Sequence, residues 1–169
     1  MPIVSLEGPD KSGKTTLFQA LQGRLHATFV PTLPMTSDIL KIVDQVERCF
    51  ERLWISLYDP SKTYIVDRHM SLTNVVYGRL YGRPVSTHNE SFWRRQSVIL
   101  YLDCPLVTLK QRWTASPDPL FDMAKYERLV QIYREEVRKY RYIRLDASRP
   151  IKELIDVVKG VVGGRDDPM

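Results

Sequence analysis

Two cysteines in 169 residues, Cys49 and Cys104, make no disulfide framework, and they lack the spacing of a zinc site. A reduced, cytoplasmic setting is the simple expectation. No apolar stretch is long enough to span a bilayer, so no membrane partner is expected. No signal pattern precedes the first strand-like run, which starts almost at Met1. Blocks of like charge, internal repeats and low-complexity segments are also missing, which argues against a basic tail or a repeat array. What remains is an ordinary globular composition, 43% hydrophobic and 27% charged. The length suits one domain with a sizeable core better than two. The formal net charge of +5 is mild and serves polyphosphate ligands as easily as nucleic acid.

The most informative stretch is Gly8 to Thr15, GPDKSGKT, which fits the phosphate-loop pattern G-x-x-x-x-G-K-[ST]. Ile3, Val4 and Leu6 before it suit a buried parallel strand. Leu17, Phe18, Leu21 and Leu25 after it have helical spacing, predicting a helix over Thr16 to Leu25. Between strand and helix, Gly8 and Gly13 let the backbone turn so that amide N–H groups form an anion cradle. Lys14 then reaches the β- and γ-phosphates, and the Thr15 hydroxyl is offered to magnesium.

Further strands are expected at Ala27–Val30, Thr63–Val66, Val98–Leu102 and Tyr142–Leu145. Helices are expected over Ser37 to Tyr58, Ser71 to Tyr81, Leu106 to Trp113 and Asp122 to Tyr140, with a last one after Pro150 that fades at Gly160, Gly163 and Gly164. Such alternation predicts a parallel sheet with helices on both faces, and ligands at the carboxyl ends of its strands. Three segments fall there: Glu7–Thr16, Pro31–Thr36 and Asp67–His69.

Asp67, at a strand end beside a phosphate loop, is placed to hold magnesium, and Arg68 to grip a phosphate. The alternative for Asp67 is a cap on the following helix. Asp10 would repel triphosphate oxygens and is better aimed at a hydroxyl of a second substrate. Lys11 puts a second positive charge near the transferred group. His69 reads as structural, because an ionised phosphate acceptor needs no general base. Arg79, Arg83, Arg94 and Arg95, interleaved with Tyr77, Tyr81, Phe92 and Trp93, read as a solvated face beside core aromatics rather than a nucleic-acid surface.

Residues Glu7 to Thr16, EGPDKSGKTT, resemble the phosphate loop of thymidylate kinases, E-G-x-D/E-x-x-G-K-[ST]-T. Asp67-Arg68-His69 resembles their D-R-Y/H motif. Leu102 to Pro105 and Asp146 to Ser148 resemble the ends of their fourth and fifth strands, and the order holds from Ile3 to about Val158. The resemblance implies a three-layer α/β P-loop kinase fold with a five-stranded parallel sheet, helices on both faces and a short lid. It implies one domain over residues 1–164, with the lid at about 113–122 and a frayed tail at 165–169.

By the same resemblance the protein is a magnesium- and ATP-dependent kinase of a deoxynucleoside monophosphate, a dTMP-like acceptor above others. Gly8, Pro9, Asp10, Lys11, Ser12, Gly13, Lys14, Thr15 and Thr16 would hold the ATP phosphates, with Arg112 at the lid entrance. Backbone around Ala147 and Ser148 would border the adenine. Asp10 would bond the sugar 3′-hydroxyl, Arg68 would grip the acceptor's 5′-phosphate, and Thr15 with Asp67 would place magnesium. Lys11, Lys14 and Arg68 would carry the catalysis. Residues 113–122 contain no Lys or Arg, so Lys11 resembles the loop-basic type of the family. The usual Arg after the second strand is missing from Pro31 to Thr36, and Arg48 or Arg52 could substitute. Phe50 falls in a stretch like the base-stacking segment, with plain core as its alternative. Asn74 and Tyr77 could face the sugar or base. Family members are often two-fold dimers, which leaves a homodimer as an expectation.

Two alternatives stand beside this reading. A deoxynucleoside kinase shares the fold and the Glu7-Gly8 start, but it needs a carboxylate near the second strand's end, where the nearest acid is Asp38. A nucleotide-binding module or kinase acting on DNA would use the basic aromatic stretch from Tyr77 to Arg95.

Overall fold

The structure, a computed structural model, describes residues 3–31, 54–83, 89–117 and 122–163. Five parallel strands form its centre: β1 (Ile3–Glu7), β2 (Thr28–Val30), β3 (Tyr64–Asp67), β4 (Ser97–Asp103) and β5 (Tyr142–Asp146), in the spatial order β2-β3-β1-β4-β5. β1 lies in the middle, paired with β3 (Leu6 opposite Asp67) and with β4 (Glu7 opposite Tyr101). The chain runs to one side of β1 first and then to the other. That reversal opens a crevice beyond the carboxyl end of β1, the general ligand position in such sheets.

The described helices are α1 (Lys14–Leu21), α2 (Met70–Tyr81), α3 (Glu90–Gln96), α4 (Leu106–Ala115), α5 (Met123–Glu136) and α6 (Ile151–Gly163). α1 packs with α6, and α2 with α5, so helices cover both faces of the sheet. The three-layer α/β architecture expected from the alternation is the one observed. Every residue of β1 is buried, as its apolar run requires, and the main core joins Val4, Leu6 and Leu100 to Leu17, Leu72, Leu129 and Tyr133. Burying each such leucine is worth about 1.5–3 kcal/mol. A smaller cluster under β3 contains Ile3, Trp54, Tyr64, Val66 and Trp93, with the Trp54 and Trp93 rings stacked 5.0 Å apart.

Several element limits differ from expectation for local reasons. α1 starts at Lys14, directly after Gly13, and stops at Leu21 rather than Leu25, because Gly23 turns the chain at φ 74°. α2 ends at Gly82 (φ 63°) as anticipated. The expected helix over Asp122 to Tyr140 is α-helical only to Glu136 and closes in a 3-10 turn at Val137–Lys139. α6 continues through Gly160 to Gly163. α3 is an addition: residues 90–96 form a helix with Trp93 buried, while Arg94 pairs with Glu90 and lies 4.4 Å above the Tyr140 ring. In the basic aromatic stretch Trp93 is thus a core ring, Arg79 bridges Glu135 and Glu136, and Arg94 pairs with Glu90. Of the helix expected over Ser37 to Tyr58, residues 37–53 lie outside the described residues, as do Phe50, Arg48, Arg52 and Asp38. Residues 54–57 are helical.

Candidate active site

The crevice is a cleft of about 570 Å³, within the usual range for small-molecule sites. Its lining brings together Asp10 to Thr16 of the loop, Asp67 and Arg68 from the end of β3, Arg112 from α4, and Ala147 and Arg149 after β5. Gly8 is required at the loop's start. A side chain there would meet Leu102 O at 2.7 Å and Ser12 Oγ at 2.9 Å, and its φ of 148° disfavours any L residue. Gly13, at φ 100°, turns the chain directly into α1. The N-terminus of α1 therefore faces the cleft, with Thr15 and Thr16 exposed and lining it. Ser12 Oγ is buried in this lining without a hydrogen-bond partner among the described residues. An orphaned hydroxyl beside a helix N-terminus fits an oxyanion, as the loop pattern anticipates.

Lys14 is folded into the loop. Its Nζ donates to Gly8 O at 2.5 Å and to Pro9 O at 2.8 Å, and lies 4.0 Å from Asp10. Burial, reinforced by the positive charge of Arg68, pulls its pKa down to about 8.

Arg68 adopts φ 78°, a left-handed conformation that costs a non-glycine residue about 1–2 kcal/mol. Its own N–H is held by Leu6 O at 3.0 Å. The guanidinium extends to Asp10 Oδ1 at 2.5 Å and donates to the Tyr133 hydroxyl at 3.2 Å. Tyr77 donates to the other Asp10 oxygen at 3.0 Å, and the Tyr126 hydroxyl donates to the Asp10 carbonyl. Burial pushes the Asp10 carboxyl up, but Arg68 and Lys14, with the hydrogen bonds from Arg68 and Tyr77, outweigh it and hold it below the usual carboxylate range. Asp10 and Arg68, separate in the sequence reading, form one ion pair.

Tyr126 and Tyr133 were not anticipated as site residues. Their seven-residue spacing puts both on one face of α5 among Leu129 and Val130, which reads as core in sequence. Arg149, Ile151 and Leu154 also line the cleft without having been singled out.

The remaining expectations divide. Asp67 is buried at the end of β3 and lines the cleft. It does not cap α2: His69 does, with Nδ1 accepting from Leu72 N–H at 3.1 Å. His69 is fully buried, its Nε2 lies 2.8 Å from Ser97 Oγ, and burial lowers its pKa to about 3, so it is neutral and structural. Arg112 donates to Lys11 O at 3.0 Å, and Lys11 Nζ donates to Ser116 Oγ at 3.4 Å, tying the loop to the end of α4. Ala147 lines the cleft and donates to Asp103 O at 2.8 Å. Ser148 turns its N–H and hydroxyl to Asp146 instead, and Asn74, half-buried on α2, is not among the lining residues. Part of the expected lid, residues 118–121, lies outside the described residues.

No protein-family model matches the chain. Two curated relatives do. One, named probable thymidylate kinase, from Metallosphaera sedula, is 25% identical over 97% of this chain and 93% of its own length. A second of the same name, from Sulfurisphaera tokodaii, is 25% identical over 90% and 91%. Among solved structures, the YorR protein of Bacillus subtilis in complex with phosphorylated GDP superposes with a TM-score of 0.72 at 18% identity, covering 95% of each chain. Deoxyadenosine kinase from M. mycoides, with products dCMP and dCDP bound, superposes at 0.67 and 14% identity, covering 96% of this chain and 98% of that one. In sequence the chain is thus similar to proteins named probable thymidylate kinase, and it shares the fold of these solved nucleotide-kinase structures.

Proposed function

We propose that the protein transfers the terminal phosphoryl group of ATP to a deoxynucleoside monophosphate, with a dTMP-like acceptor preferred. The observation that carries this is the charge of the cleft. Among the described residues, Lys11, Lys14, Arg68, Arg112 and Arg149 line it against Asp10 and Asp67. A surplus of cations on that scale suits two phosphorylated ligands better than one, and electrostatic stabilisation dominates phosphoryl transfer. The loop from Gly8 to Thr16 would hold the donor's phosphates, with Lys14 leaving the Gly8 and Pro9 carbonyls to reach them. Ala147 and the residues after it would border the adenine. Arg68 would meet the acceptor's phosphate, and the Asp10 carboxylate, already oriented by Tyr77, would accept from the sugar 3′-hydroxyl. Lys11 would add charge at the transferred group.

Thr15 and Asp67 both line the cleft and would hold magnesium. No cluster of three metal-binding side chains occurs among the described residues. One carboxylate and one hydroxyl nevertheless fit magnesium, which keeps several waters and takes its other oxygens from substrate phosphates. Bound there, it would neutralise charge on the donor.

The reading extends to one kinase domain over residues 1–164, with a lid near 113–122, working in the cytoplasm; no helix among the described residues is long and apolar enough to cross a membrane. Purified protein with ATP, magnesium and a panel of deoxynucleoside monophosphates should form the diphosphate. No turnover on any of them removes the proposal. The second reading, a deoxynucleoside kinase, draws on the neighbouring deoxyadenosine kinase structures. Preference for thymidine over dTMP in direct competition would establish it in place of the first.

A further inference from the structure

Glu7 is the last residue of β1 and is completely buried, although it is ionisable. A carboxylate in that position needs every lone pair answered. One oxygen, Oε2, accepts from the N–H of Gly8, the first residue of the phosphate loop, at 3.1 Å. The other, Oε1, accepts from the N–H of His69 at 2.8 Å and from the Thr73 hydroxyl in the first turn of α2. The His69 N–H belongs to the peptide that follows Arg68. Arg68 is therefore bracketed: its own N–H goes to Leu6 O at 3.0 Å, and the next N–H goes to Glu7. Both acceptors are consecutive residues of β1. Between them sits the left-handed turn at φ 78° that aims the guanidinium at the loop.

We infer that Glu7 is a positioning residue, acting through Arg68, that fixes the distance between the phosphate loop and the arginine facing it. The inference rests on the two-substrate reading of the cleft. A single side chain ties the donor cradle at Gly8 to the turn that presents Arg68. Orientation effects of this kind are lost steeply with small displacements, so the carboxylate acts without touching either substrate. Burial raises the Glu7 pKa above the usual carboxylate range, and the positive charges of Arg68 and Lys14 only partly oppose that rise.

The test uses the full-length chain with Glu7→Gln. The amide has only one accepting oxygen: with it on His69 and Thr73 the NH2 faces the Gly8 N–H, and with it on Gly8 the NH2 faces the His69 N–H, so either orientation breaks the tie between loop and turn. The acceptor KM should rise about tenfold while the donor KM shifts by less than about threefold, and on an Arg68→Ala background the substitution should add under about twofold. Equal losses for both substrates, or full additivity with Arg68→Ala, overturn the inference. Hydrogen exchange at the Gly8 and His69 amides supplies a readout besides activity. At least one of the two should accelerate at least about tenfold in Glu7→Gln, and unchanged rates at both also overturn the inference. If Glu7→Gln does not fold, Thr73→Val decides, since it removes one of the hydrogen bonds and keeps the Glu7 carboxyl group. It should move the acceptor KM and the His69 exchange rate the same way, and no movement overturns the inference. A wild-type protein that turned over no acceptor would reject phosphoryl transfer, and the exchange measurement would still settle the role of Glu7.

Discussion

Arg68 and Asp10 meet at 2.5 Å, joining the end of β3 to the middle of the phosphate loop. Each is mostly shielded from solvent, with side-chain exposures of 20% and 18%. Removing one partner strands a charge, which is more costly than the pair is worth. Asp10→Asn should lower the unfolding free energy by about 2–3 kcal/mol. Adding Arg68→Ala to it should recover part of that loss. Denaturant titrations of the single and double variants measure the coupling, and a loss below about 0.5 kcal/mol in Asp10→Asn would show that the pair is not coupled. Because Asp10 is held below the usual carboxylate range, its contribution is complete above pH 4 and disappears on further acidification.

Lys14 is depressed to about 8 before any ligand is present. A triphosphate needs it charged. ATP or ADP affinity should therefore be level up to about pH 8 and then fall towards tenfold per unit, with uptake of a proton on binding. Calorimetry in buffers of different ionisation enthalpy between pH 7 and 9.5 reads both. A flat affinity up to pH 9.5 would contradict the assignment. The unfolded chain holds its proton to about 10.5, so this group's contribution to stability rises with pH between 8 and 10.5. Lys14→Met keeps the stem and removes the charge, and it should abolish transfer while leaving the melting temperature within a few degrees.

Gly8→Ala places a methyl group 2.7 Å from Leu102 O, a backbone atom that cannot swing aside. The loop must shift away from β4, and the positive φ adds strain. The variant should lose about 1–3 kcal/mol of stability and bind nucleotide poorly. Gly13→Ala meets no atom within 4 Å and carries only the strain of φ 100°. Thermal melts with and without ADP compare the two. Similar behaviour of both variants would argue against the close approach at Leu102.

His69 stays neutral to about pH 3, whereas a free histidine takes a proton near 6.5. Its lowered pKa means that its stabilisation is full above pH 6.5 and is lost as the pH falls towards 3. Between pH 7 and pH 5 this amounts to about 2 kcal/mol. In His69→Asn, which can still cap α2, the stability difference between those two pH values should shrink by that amount. Urea unfolding at both pH values checks it, and an unchanged difference refutes the assignment.

The sequence disclosed those parts of the molecule whose physics is local. The apolar residues Ile3, Val4 and Leu6, a glycine-bearing turn and a helical spacing identify the phosphate loop, because strand, turn and helix are each set by neighbours in the chain. Gly82 ended α2 where expected for the same reason. α3 is not legible because seven residues carry little periodicity, whereas Trp93 reads as a core aromatic in the sequence and packs against Trp54 and Tyr64 in the structure.

In the site, residue types and strand ends were legible, and partnerships were not. Asp10, Lys14, Asp67 and Arg68 could be named from motifs. That Asp10 would close on Arg68, that Tyr126 and Tyr133 would reach in from a helix more than a hundred residues beyond the loop, and that Glu7 would bridge Gly8 to His69 all follow from the sheet order. Hydrogen bonds between distant segments depend on which strands lie side by side. Composition and spacing report only what each segment prefers alone, while burial of the whole core chooses the neighbours.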